Sequence, residues 1–183
     1  MEGKVKILGI AGSLRQGSYN RALLRAAAEL LPEGAGLTIF DLEGIPPFNQ
    51  DLLASMPERV KALKAAVRAA DAVLFATPEY NYSVPGVLKN AFDWGTRPME
   101  DNCWVRKPAA IMGASTGRMG TVRAQMHLRQ CFIYMDMPVV NKPEVMVSMA
   151  ADKFDAEGKL IDEETRKLVA QLVESLVELA RRG

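Results

Sequence analysis

The sequence predicts an α/β fold of three layers, a parallel β-sheet with helices on both faces, and three observations predict it. Apolar runs of strand length, at 5–11, 72–77 and 108–114, lack strict alternation, as strands covered on both sides do. Amphipathic stretches of helical length separate them, so consecutive strands are joined by crossovers and run parallel. Small, polar loops follow the strands at 12–20, 78–83 and 115–120, at the carboxyl ends where such sheets bind ligands.

Val5–Ala11 is the first strand, mostly apolar. The helix expected over 21–31 carries Ala22, Leu23, Ala26, Ala27, Leu30 and Leu31 as an apolar stripe, with Arg21, Arg25 and Glu29 opposite. Pro32 and Gly34 close it, and a short second strand is expected over 37–41. Residues 44–50 hold two prolines in a row and are expected to be irregular. Pro57 stands near the start of a second helix whose inner stripe is Val60, Leu63, Val67 and Ala70. The third strand, 72–77, is apolar and β-rich. Pro85 suits the first turn of a third helix with Val87, Leu88, Ala91 and Trp94 inward. After an irregular 97–107 come a fourth strand over 108–114 and a helix over 121–134. An interrupted fifth strand is expected within 137–147, then a turn at 154–160. The last helix, 162–181, is acidic at its start and basic at its end, as the macrodipole favours.

Five strands and about five helices fit one flavodoxin-like domain spanning 1–183, with strand order 2-1-3-4-5. In that order strands one, three and four are neighbours, so their three loops converge. With 49% hydrophobic and 25% charged residues the composition is that of a soluble globular protein. A net charge of +1 favours neither nucleic acid nor an acidic membrane, so an anion site has to be local. Cys103 and Cys131 form no Cys-x-x-Cys pair. No apolar run approaches a membrane span, and Met-Glu-Gly-Lys leads straight into a strand. A cytoplasmic protein is expected.

The organising stretch is Gly12-Ser13-Leu14-Arg15-Gln16-Gly17-Ser18-Tyr19-Asn20. Strand, Gly/Ser-rich turn and helix start together aim backbone N–H groups and a helix N-terminus at one spot, which suits a phosphate. Arg15 adds a permanent forked cation. An ordinary turn explains the glycines but not Arg15 with two serines and Asn20. A P-loop is excluded, because Ser18 stands where its lysine belongs and Tyr19 where its magnesium ligand belongs. The Gly-x-Gly-x-x-Gly dinucleotide fingerprint is absent too, since the glycines fall at 9, 12 and 17. Asp41 at the end of strand two imitates the ribose-binding acid of such a site in position, but an Asp closing a strand is more often a turn residue. A compact monophosphate site remains, which in this sheet points to FMN.

Gly-Ser-Leu-Arg-x-x-Ser-x-Asn at 12–20, with Pro-Glu-Tyr-Asn-x-Ser-x-Pro-Gly-x-Leu-Lys-Asn-Ala-x-Asp-Trp at 78–94, resembles the NADPH-dependent FMN reductase family, in its chromate/quinone reductase and azoreductase-like branch. The likeness covers nearly the whole chain. It implies that Ser13, Arg15, Ser18 and Asn20 hold the FMN phosphate. It implies that Pro78, Glu79, Tyr80 and Asn81 contact the isoalloxazine and ribityl parts, with Ser115 and Gly117 at the far ring edge. The 115–120 loop matches only in position and small-residue character, and a simple tight turn is the other reading of it. The resemblance further implies a hydride from NADPH or NADH, passed through FMN to a quinone, azo compound, chromate or free flavin, in a homodimer or homotetramer. The 46–50 loop and the 121–134 helix are candidates for the subunit contact.

No side-chain acid, base or nucleophile is demanded by flavin chemistry, so no catalytic residue is named, and no metal site. The alternative is a flavodoxin-like electron carrier. Carriers of that kind typically have a Thr/Ser-rich loop without arginine and an acidic surface, which Arg15 and the balanced charge disfavour. His127 lacks a partner pattern and reads as a surface or interface residue. The methionines between 112 and 149 read as core filler or as part of an interface.

Overall fold

The computed structural model describes residues 3–182; Met1, Glu2 and Gly183, the ends of the expected 1–183 domain, lie outside the described residues. Five parallel strands form one sheet in the order β2-β1-β3-β4-β5, as expected. They are β1 (Val5–Ala11), β2 (Ala35–Phe40), β3 (Ala72–Ala76), β4 (Ala109–Ala114) and β5 (Val145–Val147). The helices are α1 (Tyr19–Glu29), α2 (Glu58–Ala69), α3 (Gly86–Gly95), α4 (Val122–Tyr134) and α5 (Glu163–Arg182).

Alternation along each strand divides the interior into two cores. Ala72, Leu74 and Ala76 of β3 face one way, with Ala110 and Met112 of β4, against Leu23, Leu24 and Ala27 of α1 and Val169, Leu172 and Leu176 of α5. The small strand residues let those two helices lie close to the sheet. Val73 and Phe75 face the other way, against α2, α3 and α4. There Phe75, Phe92, Trp104 and Phe132 form a cluster with ring centroids 5.2–6.0 Å apart and tilted or edge-on geometry, the arrangement the ring quadrupoles favour. β3 and β4 are buried along their whole length, whereas β2, at the sheet edge, is half exposed.

Several boundaries differ from expectation, each for a local reason. α1 begins at Tyr19, two residues before the expected start, because the Ser18 side chain caps it by accepting from the Asn20 and Arg21 N–H groups. β2 begins and ends earlier than 37–41, its register set by Val5 opposite Ala35 and Ile10 opposite Phe40. A 3₁₀ helix, Gln50–Ser55, follows the prolines and was not expected. Strand five is interrupted, as expected. Ala109 pairs with Val139 in an isolated bridge, and regular pairing resumes only at Val145. Asp162 caps α5 through the Thr165 N–H at 2.9 Å. Gly113 is a packing necessity: a Cβ there would lie 2.5 Å from the Thr77 carbonyl oxygen and 2.0 Å from the Thr121 hydroxyl oxygen.

Candidate functional site

The loops that leave β1, β3 and β4 meet. A Cβ on Gly12 would lie 3.1 Å from the Pro78 ring and 3.2 Å from the Pro85 ring, so a glycine is what lets the first two loops touch. The Tyr80 hydroxyl lies 3.4 Å from Ser13 Oγ. Asn20 closes the group from α1. Its Nδ2 donates to the Ala114 carbonyl at 2.9 Å, and its Oδ1 accepts from the Ala114 N–H at 2.9 Å.

Between the loops lies a cavity of about 230 Å³, lined by Ser13, Arg15, Ser18, Tyr19 and Asn20, by Pro78, Glu79 and Tyr80, and by Ala114, Ser115 and Thr116. Eight of the ten expected binding residues are therefore brought together. Asn81 and Gly117 are not on the wall. Asn81 sits at the tip of a hairpin with φ 48°, and Gly117 folds the third loop back, its N–H donating to Ser115 Oγ at 3.1 Å. Among the described residues, three larger cavities lie away from these loops, two of about 1060 and 630 Å³ around the amino ends of the strands and one of about 270 Å³ between α1 and the 157–160 turn.

The first loop supplies donors. The Gln16, Gly17 and Tyr19 N–H groups have no partner among the described residues, and Tyr19 lines the cavity. Ser13 and Ser18 are buried with their hydroxyls at the cavity. Arg15 meets no carboxylate among the described residues; its guanidinium stands 5.8 Å from the Tyr19 ring centre. Asn20 differs from the other three residues of its motif. Its amide is committed to Ala114, which makes it the brace of the cradle.

Glu79 lines the cavity and Asp41 is linked to Ser13 through Arg21, and each carboxylate has an arginine partner. Asp41, at the end of β2, pairs with Arg21, whose Nε donates to the Ser13 carbonyl at 3.2 Å. Burial pushes the Asp41 carboxyl up, but the Glu43 N–H and the Arg21 guanidinium together hold it below its usual pKa. Glu79 pairs with Arg123 and accepts from the Arg123 and Ala124 N–H groups at 3.0 and 3.3 Å, capping α4 from another loop. Burial likewise raises the Glu79 carboxyl, and the Arg123 side chain and those N–H groups more than offset it.

Sequence reasoning missed both pairs. It set Arg21 on the polar face and read Asp41 as a turn residue. The available signal was that Asp41 ends the strand next to β1, within reach of an arginine three residues after Ser18. Nothing in the local pattern marks Arg123. His127, expected without a partner, has one: its Nδ1 lies 2.9 Å from Ser83 Oγ.

A cradle of donors with its nearby carboxylates masked fits a phosphomonoester dianion, which needs no metal when several charge-assisted bonds are available. The cavity is smaller than the roughly 300–1,000 Å³ of a pocket that swallows a whole ligand. Its size suits a phosphate with a short polyol chain and not a whole mononucleotide. Sheet order and cradle together define a flavodoxin-like mononucleotide-binding oxidoreductase. The chain belongs to the NADPH-dependent FMN reductase family, whose model matches residues 5–152.

It is 51% identical over 183 residues to a NAD(P)H-dependent FMN reductase from Pseudomonas aeruginosa, covering all of this chain and 98% of that one. It is 40% identical over 177 residues to a 2-hydroxy-1,4-benzoquinone reductase from a Burkholderia species, covering 97% of each. The structure of FerB, a flavoenzyme NAD(P)H:(acceptor) oxidoreductase from Paracoccus denitrificans, superposes with a TM-score of 0.90 at 35% identity, over 97% of this chain and 98% of that one. The protein is an enzyme, an oxidoreductase that uses FMN and draws on NAD(P)H. No helix among the described residues is long and apolar enough to cross a membrane.

Proposed function

We propose that the chain reduces quinones, drawing on NADPH or NADH, with FMN held by its phosphate in the 12–18 cradle and its ring system against the 78–82 segment. The observation that carries this reading is the composition of the cradle. Ser13, Ser18, Tyr19 and Arg15 line the cavity, Arg15 meets no carboxylate among the described residues, and Arg21 and Arg123 pair with the nearby carboxylates. The quinone named for the Burkholderia relative supplies the acceptor class. Azo compounds, chromate and free flavin are the competing acceptors.

When bound, FMN supplies the hydride-accepting and electron-donating chemistry itself. The chain's work is to hold and orient. Arg15, Ser13 and Ser18 grip the phosphate, and Asn20 fixes the cradle to β4. Pro78 and Tyr80 give the rings apolar surface. The Asn81 and Tyr82 N–H groups, without partners among the described residues, are donors for negative charge on the reduced ring. Ser115 and Gly117 belong to the far ring edge.

We further place the enzyme in the cytoplasm as one domain, acting as a homodimer or homotetramer on small molecules and not on nucleic acid or membranes. Exposed Met119, Met126, Ile133 and Tyr134 in and before α4 support a subunit contact there, whereas Met112, Met135 and Met137 are core.

The test is direct. The purified protein is expected to be yellow with FMN, to bleach when NADPH or NADH is added without oxygen, and to regain colour with a benzoquinone. A flavin that does not bleach refutes the reductase reading. A colourless protein that takes up no FMN refutes the cofactor site.

A further inference from the structure

The 79–83 segment is a hairpin built at a cost. Tyr80 and Ser83 exchange both backbone hydrogen bonds, at 3.1 and 3.0 Å, leaving a two-residue turn. Both central residues are left-handed, Asn81 with φ 48° and Tyr82 with φ 71°. Such a turn ordinarily carries Asn-Gly, because a bulky residue at positive φ is strained. A connection alone would be cheaper with glycine at 82. Strain of this kind persists only where the surroundings over-determine it.

The surroundings here are two side chains of α4, four residues apart and so on one face. Arg123 lies between the Glu79 carboxylate, with which it pairs, and the Tyr82 ring, whose centre is 3.6 Å from its guanidinium carbon. His127 meets Ser83 at 2.9 Å. The turn is thus held on both flanks, and Tyr82, 70% exposed, is held against the Arg123 guanidinium.

We propose that Arg123 and His127 are positioning residues that hold the strained Asn81-Tyr82 turn in the shape that receives the cofactor's ring system. The proposal rests on reading this loop as the flavin-ring loop. Glu79 anchors Arg123, Arg123 fixes the Tyr82 ring, and His127 fixes Ser83 at the start of the segment that leads into α3. Neither residue is assigned any contact with the cofactor.

The experiment compares wild type with Arg123→Ala, Arg123→Lys, His127→Ala and Tyr82→Gly. It reads FMN Kd by quenching of flavin fluorescence, the visible circular dichroism of bound flavin, oligomeric state and apoprotein Tm. Arg123→Ala is expected to raise the FMN Kd about tenfold, the size of a strong coupling between neighbours, and to change the flavin dichroism. Arg123→Lys, which keeps charge but not the planar stack, recovers part of both, and His127→Ala has a smaller effect in the same direction. Tyr82→Gly is the discriminating variant. It relieves the backbone, so apoprotein Tm stays level or rises while FMN binding weakens.

Wild-type Kd and dichroism in the Arg123 variants overturn the proposal. So does a fall in Tm or a change in oligomeric state with FMN binding unaltered, which would make the role merely structural. If Arg123→Ala does not fold, Arg123→Lys and Tyr82→Gly decide by the same criteria. Wild-type protein that takes up no FMN is a separate outcome, and it overturns the cofactor reading on which the proposal stands.

Discussion

Asn20 and Ala114, 94 residues apart, exchange two hydrogen bonds of 2.9 Å, so that one buried amide side chain joins the start of α1 to the end of β4. Asn20 satisfies a backbone N–H and C=O that face the site and have no strand beyond to pair with. Asn20→Ala strands both groups, at about 1–3 kcal/mol for each buried polar group left unpaired. Urea unfolding is expected to show a loss of about 2–4 kcal/mol. FMN affinity falls as well, since the first and third loops lose their common brace. Asn20→Asp keeps the acceptor but sets a buried carboxylate oxygen against the Ala114 carbonyl, and its loss is at least as large as that of Asn20→Ala.

Arg15→Ala separates cofactor retention from folding. Arg15 is exposed and pairs with no carboxylate among the described residues, so Tm is expected to stay within the small range of surface substitutions. A charge-assisted bond contributes about 1.5–3 kcal/mol, so FMN Kd rises roughly 10- to 150-fold. Gel filtration at dilute protein, followed by the flavin-to-protein absorbance ratio, checks both halves. Unchanged retention refutes the phosphate assignment.

Acid stability follows from carboxylates whose folded pKa values are depressed. Asp41 and Glu79 lie below their ordinary 3.8 and 4.5 although burial alone would raise them. Asp101 is lowered by Lys64 first and then Arg68, and Asp162 by its bond to the Thr165 hydroxyl. A group depressed on folding stabilises above its unfolded pKa and loses that contribution as pH falls through the folded value. Urea midpoints are therefore expected to be level between about pH 7 and 5 and to fall below about pH 4.5. Asp41→Asn makes the fall shallower, because one of the depressed groups is gone.

The two thiols should differ from accessible cysteines in reactivity. Burial pushes Cys103 up to about 11 against the weaker pull of Lys64 and Arg68, and burial raises Cys131 as well. At pH 8 roughly one Cys103 in a thousand is thiolate. Iodoacetamide at pH 8 is expected to leave Cys103 unlabelled in the folded protein and to label both cysteines in urea. Mass spectrometry of the peptides checks it.

The sheet was legible in the sequence because buried parallel strands are apolar on both faces, and because Gly, Pro and Ser mark where each strand ends. The converging loops were legible for the same reason: strand order places them side by side. What was not legible depends on residues far apart in the chain. Arg21 with Asp41, Arg123 with Glu79 and Asn20 with Ala114 join separate elements, and no local periodicity announces a partner 20, 44 or 94 residues away. The displaced start of α1 is a smaller case. Ser18, read as a phosphate donor, is also the helix cap, and one hydroxyl carries both signals.

In the proposed binding mode the cavity closes around the end of the ligand that no electron visits. The lining at 13–20 would then surround a phosphate that is the same before and after every turnover, while the reactive end would meet a hairpin whose two tyrosines are exposed. Affinity and selectivity are thereby assigned to separate pieces of chain. Descendants of this sequence could exchange residues at 80–82 and acquire new electron acceptors while the grip on the cofactor stays as it is.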